Sequence, residues 1–579
     1  MRWMDLRRHG LSLTIGKGHG VAEAEPHLLV RGAIEHHAAD LAALGFEPID
    51  SDAWRRPGAQ VPQSFWLEAR SRFPLAKAIE MPIDALFDVH AQAALPESPA
   101  PAAATRAKQV SYTKVGENRG RKRLWLEGMR LEAAGFKPGD RFALTLDLHS
   151  RRIILTASAE GDRQVSSRTT KAGARTPIID VCDASIERVL GPAGRVRAAI
   201  YEGRIEFDLH PVDHAVAERE ARTRANVEAG RITEAVLCAG GGVSALALKQ
   251  GFAEVAIESS VEWVVDREVR YLQAAADNNP ALANTRLFEA SLEELEAAFV
   301  TPVDVMQVSL PCTGHSVAGK AKRKIEHAEQ HPTDALAVYG ALKLIEASQP
   351  SVVVMENVAQ AATSATYALI RAYLQEQAYA IAETVLDGQQ AGTLEHRSRH
   401  WLVAISRGFA EGFNLEALPP RPRQHQRLGE VLEALPQDAP AWKAYEYLDA
   451  KAERDAAGGK GFARQLVTPD SEKVGTIGRG YAKQRSTEPF LVREDGLQRI
   501  LTPTEHARVK GIPEELVRDL SQVLAHEILG QSILFPHAQA LAAHIGAHLK
   551  RSVGVERGGQ PAEAADAETT KAARSAPGM

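Results

Sequence analysis

A chain of 579 residues, 44% hydrophobic and 25% charged, holds apolar material for roughly three or four packed domains, which excludes an intrinsically disordered protein. Three cysteines are too few for a disulfide framework, no Cys or His pair stands at zinc-ligand spacing, and no apolar run nears the about 20 residues that cross a bilayer. With a net charge of −5 and no signal-peptide pattern at the N-terminus, the expectation is a soluble cytoplasmic protein without a metal, whose nucleic-acid contacts, if any, come from local basic patches.

In chain order, residues 1–93 carry amphipathic patterns such as "AIEHHAADLAALGF" and predict a small helical region. The Pro/Ala stretch at 94–107 predicts a linker. Residues 108–212 predict a β-rich accessory domain of unassigned role, in two loosely similar halves. Each half reads as a short helix, a Gly/Pro turn and two alternating strands. In turn placement these halves resemble the swapped-hairpin folds of small bacterial DNA-binding and toxin–antitoxin proteins; an accessory β domain with another partner is the alternative.

From about residue 230 the texture changes. "EAVLCAGGG", "VEWVVD", "VDVMQVSL", "SVVVMENV" and "HWLVAIS" are strand candidates, with helical patterns between them such as "SALALKQGF" and "DALAVYGALKLIEAS". Strict alternation predicts an open, largely parallel sheet covered on both faces, with ligands beyond the carboxyl ends of its strands. The tail, 552–579, lacks apolar periodicity and predicts disorder.

The candidate site residues fall at those strand ends. Gly240, Gly241 and Gly242 permit a tight turn and close backbone approach to a ligand. Asp266, at the end of the next strand, is placed for a ribose hydroxyl pair, and the absence of a GxGxxG motif favours a nucleoside-like cofactor over a dinucleotide. Pro311 and Cys312 end the "VDVMQVSL" strand beside the cationic loop "GKAKRK", a setting in which nearby cations lower a thiol pKa and favour the thiolate. Glu356 and Asn357 end the following strand, where a partly desolvated carboxyl acts as a proton donor near neutral pH. Cys312 and Glu356, one strand–helix–strand unit apart, are expected side by side, and Arg397 and Arg399 share one face of a strand by their i, i+2 spacing.

The order Gly-rich turn, Pro-Cys-x-x-x-Ser, Glu-Asn-Val, x-Arg-x-Arg resembles the DNA cytosine-5 methyltransferases, as do "RILTPTEHARVKGIP" and "LGQSILFPHAQALAAHIGAHL" nearer the C-terminus. The resemblance covers roughly 233–408 and 495–550. It implies an α/β fold: a Rossmann-like S-adenosylmethionine-dependent methyltransferase sheet with a small inserted target-recognition domain and an extra N-terminal α+β region. The corresponding boundaries are 230–408 catalytic, 409–494 target recognition, and 495–551 a return to the catalytic domain.

By the same resemblance, Cys312 attacks C6 of a flipped-out cytosine, Glu356 protonates N3, and Arg397 and Arg399 hold the base and the catalytic elements, Arg399 more directly. S-adenosyl-L-methionine is the implied cofactor, held by Gly240, Gly242, Asp266, Ser291, Gln531 and Ser532. Double-stranded DNA is the implied partner, met by Ser316, Lys320, Lys322 and Arg323 of the catalytic loop and by Arg479, Lys483 and Arg485 of the recognition segment, where Arg464 and Tyr481 are further candidates. Cys238, Glu395, Leu394 and Gln531 stand where the family usually has Phe, Gln, Pro and Asn. The composition suggests a bacterial or phage restriction–modification setting with an independently acting cognate endonuclease. Two rival readings are an RNA cytosine-5 methyltransferase on the same scaffold and a non-catalytic DNA-binding regulator.

Overall fold

A computed structural model of the chain describes residues 106–191, 194–315, 324–331, 334–459 and 464–554, together with the backbone of four strands between residues 12 and 57. The chain divides into two compact units, Met1–Arg106 and Ala107–Met579. In the first, β1 (Ser12–Gly16), β2 (His27–Arg31), β3 (Glu47–Asp50) and β4 (Ala53–Pro57) form an antiparallel sheet in the order β1-β2-β4-β3. The expectation for this region is helical; the described part of it is strand. Leu13 and Ile15 flank Thr14 at the two-residue period of a strand, a signal that the longer helical pattern overshadowed. That pattern, residues 33–46, lies outside the described residues, as do most of the 94–107 stretch and the tail beyond 554.

The second unit opens with a β-rich layer of ten strands. These are β5 (Gln109–Lys114), β6 (Gly116–Asn118), β7 (Arg121–Glu127), β8 (Arg141–Asp147), β9 (Arg152–Ala157), β10 (Arg163–Gln164), β11 (Ser166–Thr169), β12 (Arg175–Cys182), β13 (Arg195–Tyr201) and β14 (Arg204–Leu209). They form two sheets, β10-β8-β9-β14-β13-β5 and β11-β12-β7-β6, closed over one core by the short helices α1 (Met129–Ala133) and α2 (Ala184–Leu190).

Helix α3 (Pro211–Glu228) then leads into the central sheet. Pro211 occupies its first turn, where its missing N–H costs nothing, and the His210 ring accepts the Val212 N–H. Sequence reading left this helix unassigned. It is riveted to the sheet by a fully buried carboxylate: Asp304 accepts from Thr223 Oγ1 (2.7 Å), Asn226 Nδ2 (2.7 Å) and Thr233 N and Oγ1 (2.9 Å each).

The central sheet comprises β15 (Arg231–Leu237), β16 (Glu258–Asp266), β17 (Arg286–Glu289), β18 (Val305–Val308), β19 (Val352–Asn357), β20 (Tyr379–Leu386) and β22 (Arg399–Ser406), in the order β17-β16-β15-β18-β19-β22-β20; the two-residue β21 (Glu395–His396) precedes β22. β15 to β19 run parallel, and β22 is antiparallel to both β19 and β20. Successive strand residues feed opposite faces. Val352 and Val354 join the core covered by α4 (Val243–Glu254), while Val353 and Met355 join the one covered by α6 (Ala337–Ser348) and α7 (Ala365–Glu376); α5 (Val269–Asn278) follows β16.

After β22 comes an insert holding α8 (Glu446–Ala457), β23 (Gln465–Val467), β24 (Val474–Gly475), β25 (Pro489–Val492) and β26 (Gln498–Arg499). Its core, with Tyr445, Val474, Tyr481 and Phe490, is completed by Leu394 from before β21 and by Leu501 and Val509 from after the insert. The chain returns through α9 (Pro503–Val509), α10 (Gln522–Gln531) and α11 (Phe535–Val553), the last packed along α4.

Candidate active site

The glycine turn lies where β15 meets α4. Gly240 (φ 54°) and Gly242 (φ 73°) adopt left-handed backbone, as does Cys238 (φ 56°), which accepts a conformation disfavoured for a side-chain-bearing residue. A Cβ on Gly241 would stand 2.5 Å from Ile528 Cγ2, and one on Gly242 2.5 Å from Asn279 Nδ2, so only glycine lets the turn seat here. At Gly240 the space is open, with Gln531 Nε2 3.8 Å from where a Cβ would be, so the last motif stands beside the turn. Asp266 Oδ2 accepts the Gly240 N–H (2.8 Å) and Oδ1 the Glu268 N–H (2.9 Å), and burial pushes its pKa up. Ser291 follows β17, the neighbour of β16; its hydroxyl donates to Glu294, and Ser532 Oγ donates to the Ile528 carbonyl (2.6 Å). Gly240, Gly242, Asp266 and Gln531 are thus brought to one strand edge, and Ser291 to the end of the adjoining strand.

Cys312 follows β18 through Ser309, Leu310 and Pro311, and is exposed. The Asn357 amide fixes this passage by donating to the Leu310 carbonyl (3.1 Å). Gly314 seats the turn, since a Cβ there would meet Ala328 Cα at 2.9 Å. Thr313 donates to Asp334, which also takes the Arg267 guanidinium (2.7 Å), so the thiol loop is tied to the strand end that carries Asp266.

Glu356, at the end of β19, is 7% exposed. It is ion-paired with Arg399 (Nε to Oε1, 2.9 Å), so the carboxyl is not left isolated by its burial. A hydrogen-bonded chain reaches its other oxygen: Ser244 O–H to Gln307 Oε1 (3.0 Å), Gln307 Nε2 to Ser309 Oγ (2.6 Å), and Ser309 O–H to Glu356 Oε2 (3.4 Å). Ser244 is in the first turn of α4, so this chain links the glycine turn to the carboxyl; neither Ser244 nor Gln307 was singled out from sequence.

The thiol, Glu356 and both arginines lie within electrostatic reach of one another. Cys312 keeps open surface, yet the protein packed around its sulfur desolvates it and raises its pKa; Arg399 and Arg397 pull it down, and Glu356 pushes it up. The net shift is upward. Among the described residues the cations that act on it are the two arginines; Lys320, Lys322 and Arg323, expected to lower it, and Ser316 lie outside the described residues. Burial, and then Arg397, bring Arg399 down to about 10.

Arg397 and Arg399 do not share a strand face. Arg397 falls in the break between β21 and β22 and turns away from Arg399's partner, toward Glu395 Oε1 and the Ile477 carbonyl (3.4 Å each). Glu395 is fully buried, accepts the Ile477 N–H (3.1 Å) and pairs with the equally buried Lys510 (2.8 Å). Burial works against its ionisation, yet Lys510 and Arg397 hold its pKa below the usual carboxylate value. Lys510 is brought down to about 7 by burial and by Arg397. The departure from the family's Gln at 395 was legible; its partner, over 100 residues away, was not.

In the insert, Arg479, Lys483 and Arg485 are all exposed on the loop between β24 and β25, with Arg479 over the Tyr271 ring (5.6 Å). Two other candidates are structural. Tyr481 is fully buried, donating to the Pro489 carbonyl (2.7 Å) and accepting from Leu501 N (2.9 Å). Arg464 is buried against Phe490, bonded to Asp449 and to Gln498 (2.6 Å). Both carry the polar atoms of a nucleic-acid contact, but their apolar bodies were claimed by the core.

An open sheet that presents a thiol and a carboxyl at the ends of adjoining strands, beside a glycine turn, places the protein in the α/β class, with a nucleophile and a carboxyl at its ligand crevice. A family model described as C-5 cytosine-specific DNA methylase matches residues 235–547. The type II methyltransferase M.NlaX of Neisseria lactamica is 28% identical over 268 residues, which cover 45% of this chain and 80% of that protein. M1.ScrFI of Lactococcus lactis subsp. cremoris, also a type II methyltransferase, is 25% identical over 254 residues, 43% of this chain and 64% of that one. Among solved structures, the S. pombe Dnmt2 methyltransferase aligns with 55% of this chain and 99% of its own at 17% identity and a TM-score of 0.43. The chain belongs to the C-5 cytosine-specific DNA methylase family, and its catalytic part is that of a DNA (cytosine-5) methyltransferase.

Proposed function

We propose that the chain methylates C5 of a cytosine extruded from duplex DNA, with Cys312 as nucleophile and Glu356 as the proton donor at N3. The observation that carries the reading is the convergence of an exposed thiol with a carboxyl that Arg399 holds at 2.9 Å. C5 of a cytosine ring is a poor nucleophile, and C6 is out of reach inside a base stack, so the base has to leave the helix. A new Cys312 Sγ–C6 bond, formed as Glu356 supplies a proton to N3, shifts electron density to C5. After methylation, loss of the C5 proton to a base and breaking of the Sγ–C6 bond return the thiol.

S-adenosylmethionine, when bound, supplies the electrophilic methyl group. The residues fit it: the open backbone at Gly240 admits close approach, Gln531 stands beside that opening, and Asp266 oxygens retain lone pairs for hydroxyl donors. The exposed Arg479, Lys483 and Arg485 form the DNA-reading edge of the insert, types suited to phosphates and guanine edges. The relatives' type II designation supports a protective role beside an independently acting endonuclease.

Trapping on a duplex carrying 5-fluorocytosine tests the reading. The fluorine at C5 blocks elimination, so the native chain should give a denaturation-resistant adduct and Cys312→Ser none. An adduct that survives Cys312→Ser, or one formed on RNA and not on DNA, would sink it. Bisulfite sequencing of DNA from expressing cells then reads the target.

A further inference from the structure

Residues 107–210 contain one β-α-β-β unit twice, and the two copies are related by an internal two-fold axis. Strand, helix and hairpin recur as β7-α1-β8-β9 and β12-α2-β13-β14. Leu131, Ile153 and Leu155 of the first copy match Ile186, Ile205 and Phe207 of the second, all at most 1% exposed. The strand registers prove the symmetry. Trp125 pairs with its own counterpart Asp180, and Ile154 with its own counterpart Glu206, which happens only where a two-fold axis passes between equivalent residues. Each copy is entered through a hairpin arm, β6–β7 in one and β11–β12 in the other, and the antiparallel β7–β12 pair sends the two tips to opposite ends of the sheet.

Both tips are cationic. Residues 106–210 hold 20 Lys and Arg against 13 Asp and Glu, a net charge of +7 in a chain whose total is −5. At the first tip, Arg119 and Gly120 form the turn with φ of 50° and 71°, and Arg119, Arg121 and Lys122 make no ion pair or side-chain hydrogen bond among the described residues; Glu117 is the one acid beside them. At the second, Lys171 is likewise free and Arg175 bonds only to the Ser167 hydroxyl (2.8 Å). Arg123 and Arg168, by contrast, are neutralised by Asp180 and Glu127 (2.7 and 3.0 Å). From the axis at Trp125–Asp180, Arg121 is four residues along β7 and Arg175 five along β12, which at about 3.3 Å per residue sets the two cations roughly 30 Å apart, close to one turn of a DNA duplex.

We propose that this duplicated layer is a second DNA-binding surface, its two arms gripping backbone phosphates one helical turn apart on duplex DNA, independently of the catalytic crevice. The partner is a polyanion with regularly repeating two-fold character, which matches the arms in both charge and symmetry. The contact is to backbone, so it is sequence-independent and serves to hold the chain on DNA while the insert reads the target.

The test is fluorescence anisotropy of the full chain on an A·T-only duplex of about 30 base pairs, three helical turns, which contains no cytosine to methylate. Arg119→Gln/Arg121→Gln/Lys122→Gln and Lys171→Gln/Arg175→Gln should each weaken binding, and together by about tenfold or more, with the slope of log K against log salt shallower by about 4. All variants should keep the native unfolding midpoint and the native yield of fluorocytosine adduct. Unchanged affinity and slope in the combined variant overturn the proposal, as does a loss confined to one arm or seen only with duplex RNA. The binding readout needs no methyl transfer, so it stands apart from the outcome of the trapping experiment.

Discussion

Glu395 is a carboxylate with no exposed surface whose neighbours are Lys510, Arg397 and the Ile477 amide. It ties the arginine segment to the insert and to α9 at once. Removing one partner from such a group leaves a charge buried without compensation, so Lys510→Met is expected to cost about 3–5 kcal/mol in urea unfolding. Combining Glu395→Gln with Lys510→Gln removes both charges and should recover most of that loss. Equal destabilisation by the double variant would show that the pairing is not what matters. At this scale Cys312, Glu356 and Arg399 were legible because each sits at a strand end that sequence periodicity locates. Lys510 was not, since only the fold brings it beneath Glu395. Tyr481 and Arg464 misled because a residue type suited to nucleic acid is equally suited to a half-polar core position.

Among the elements, the apolar strands β15, β16, β18, β19 and β22 were readable from their runs, and β17 and β20, at the two edges of the sheet, were missed because their partly exposed residues break the apolar run. Helix α3 hid behind its charge: most of its surface is polar, and its buried face mixes Val212, Val216 and Val227 with Arg219 and Thr223, the last bonded to the buried Asp304. Arg219 donates to Ser406 Oγ (3.0 Å) and lies 3.8 Å over the Tyr379 ring. Asp304→Asn keeps the shape but turns several charge-assisted bonds into weaker ones and presents N–H groups to donors. A loss of about 3 kcal/mol in denaturant unfolding is expected. A midpoint within experimental error of the native one would mean that α3 is held by packing alone.

Across the whole molecule, the buried histidines of the central domain weigh against its stability in acid. His526 and His537 are buried, and burial brings each down to about 4; His506, whose Nδ1 faces His526 Nδ1 at 3.0 Å, is held well below the usual histidine value by burial and by Lys510. Below pH 6.5 the unfolded chain's histidines bind protons that the folded ones refuse, so their contribution to stability is full above that value and falls as pH drops toward 4, by about 1.4 kcal/mol per pH unit for each histidine. Unfolding midpoints followed from pH 7 to 4.5 should show this slope, and His526→Gln should flatten it. A pH-independent midpoint would remove these histidines from the account.

The hydrophobic centre of the insert borrows Leu394 from one flank and Leu501 and Val509 from the other, so it is not a detachable cartridge. On the proposed role of the insert in reading the target, transplanting 409–494 wholesale to redirect the enzyme would strip three side chains of their company on the enzyme's own frame. Exchange limited to the exposed positions of the loop between Gly475 and Pro489 leaves Tyr481 and its neighbours in place, and is the graft this architecture tolerates.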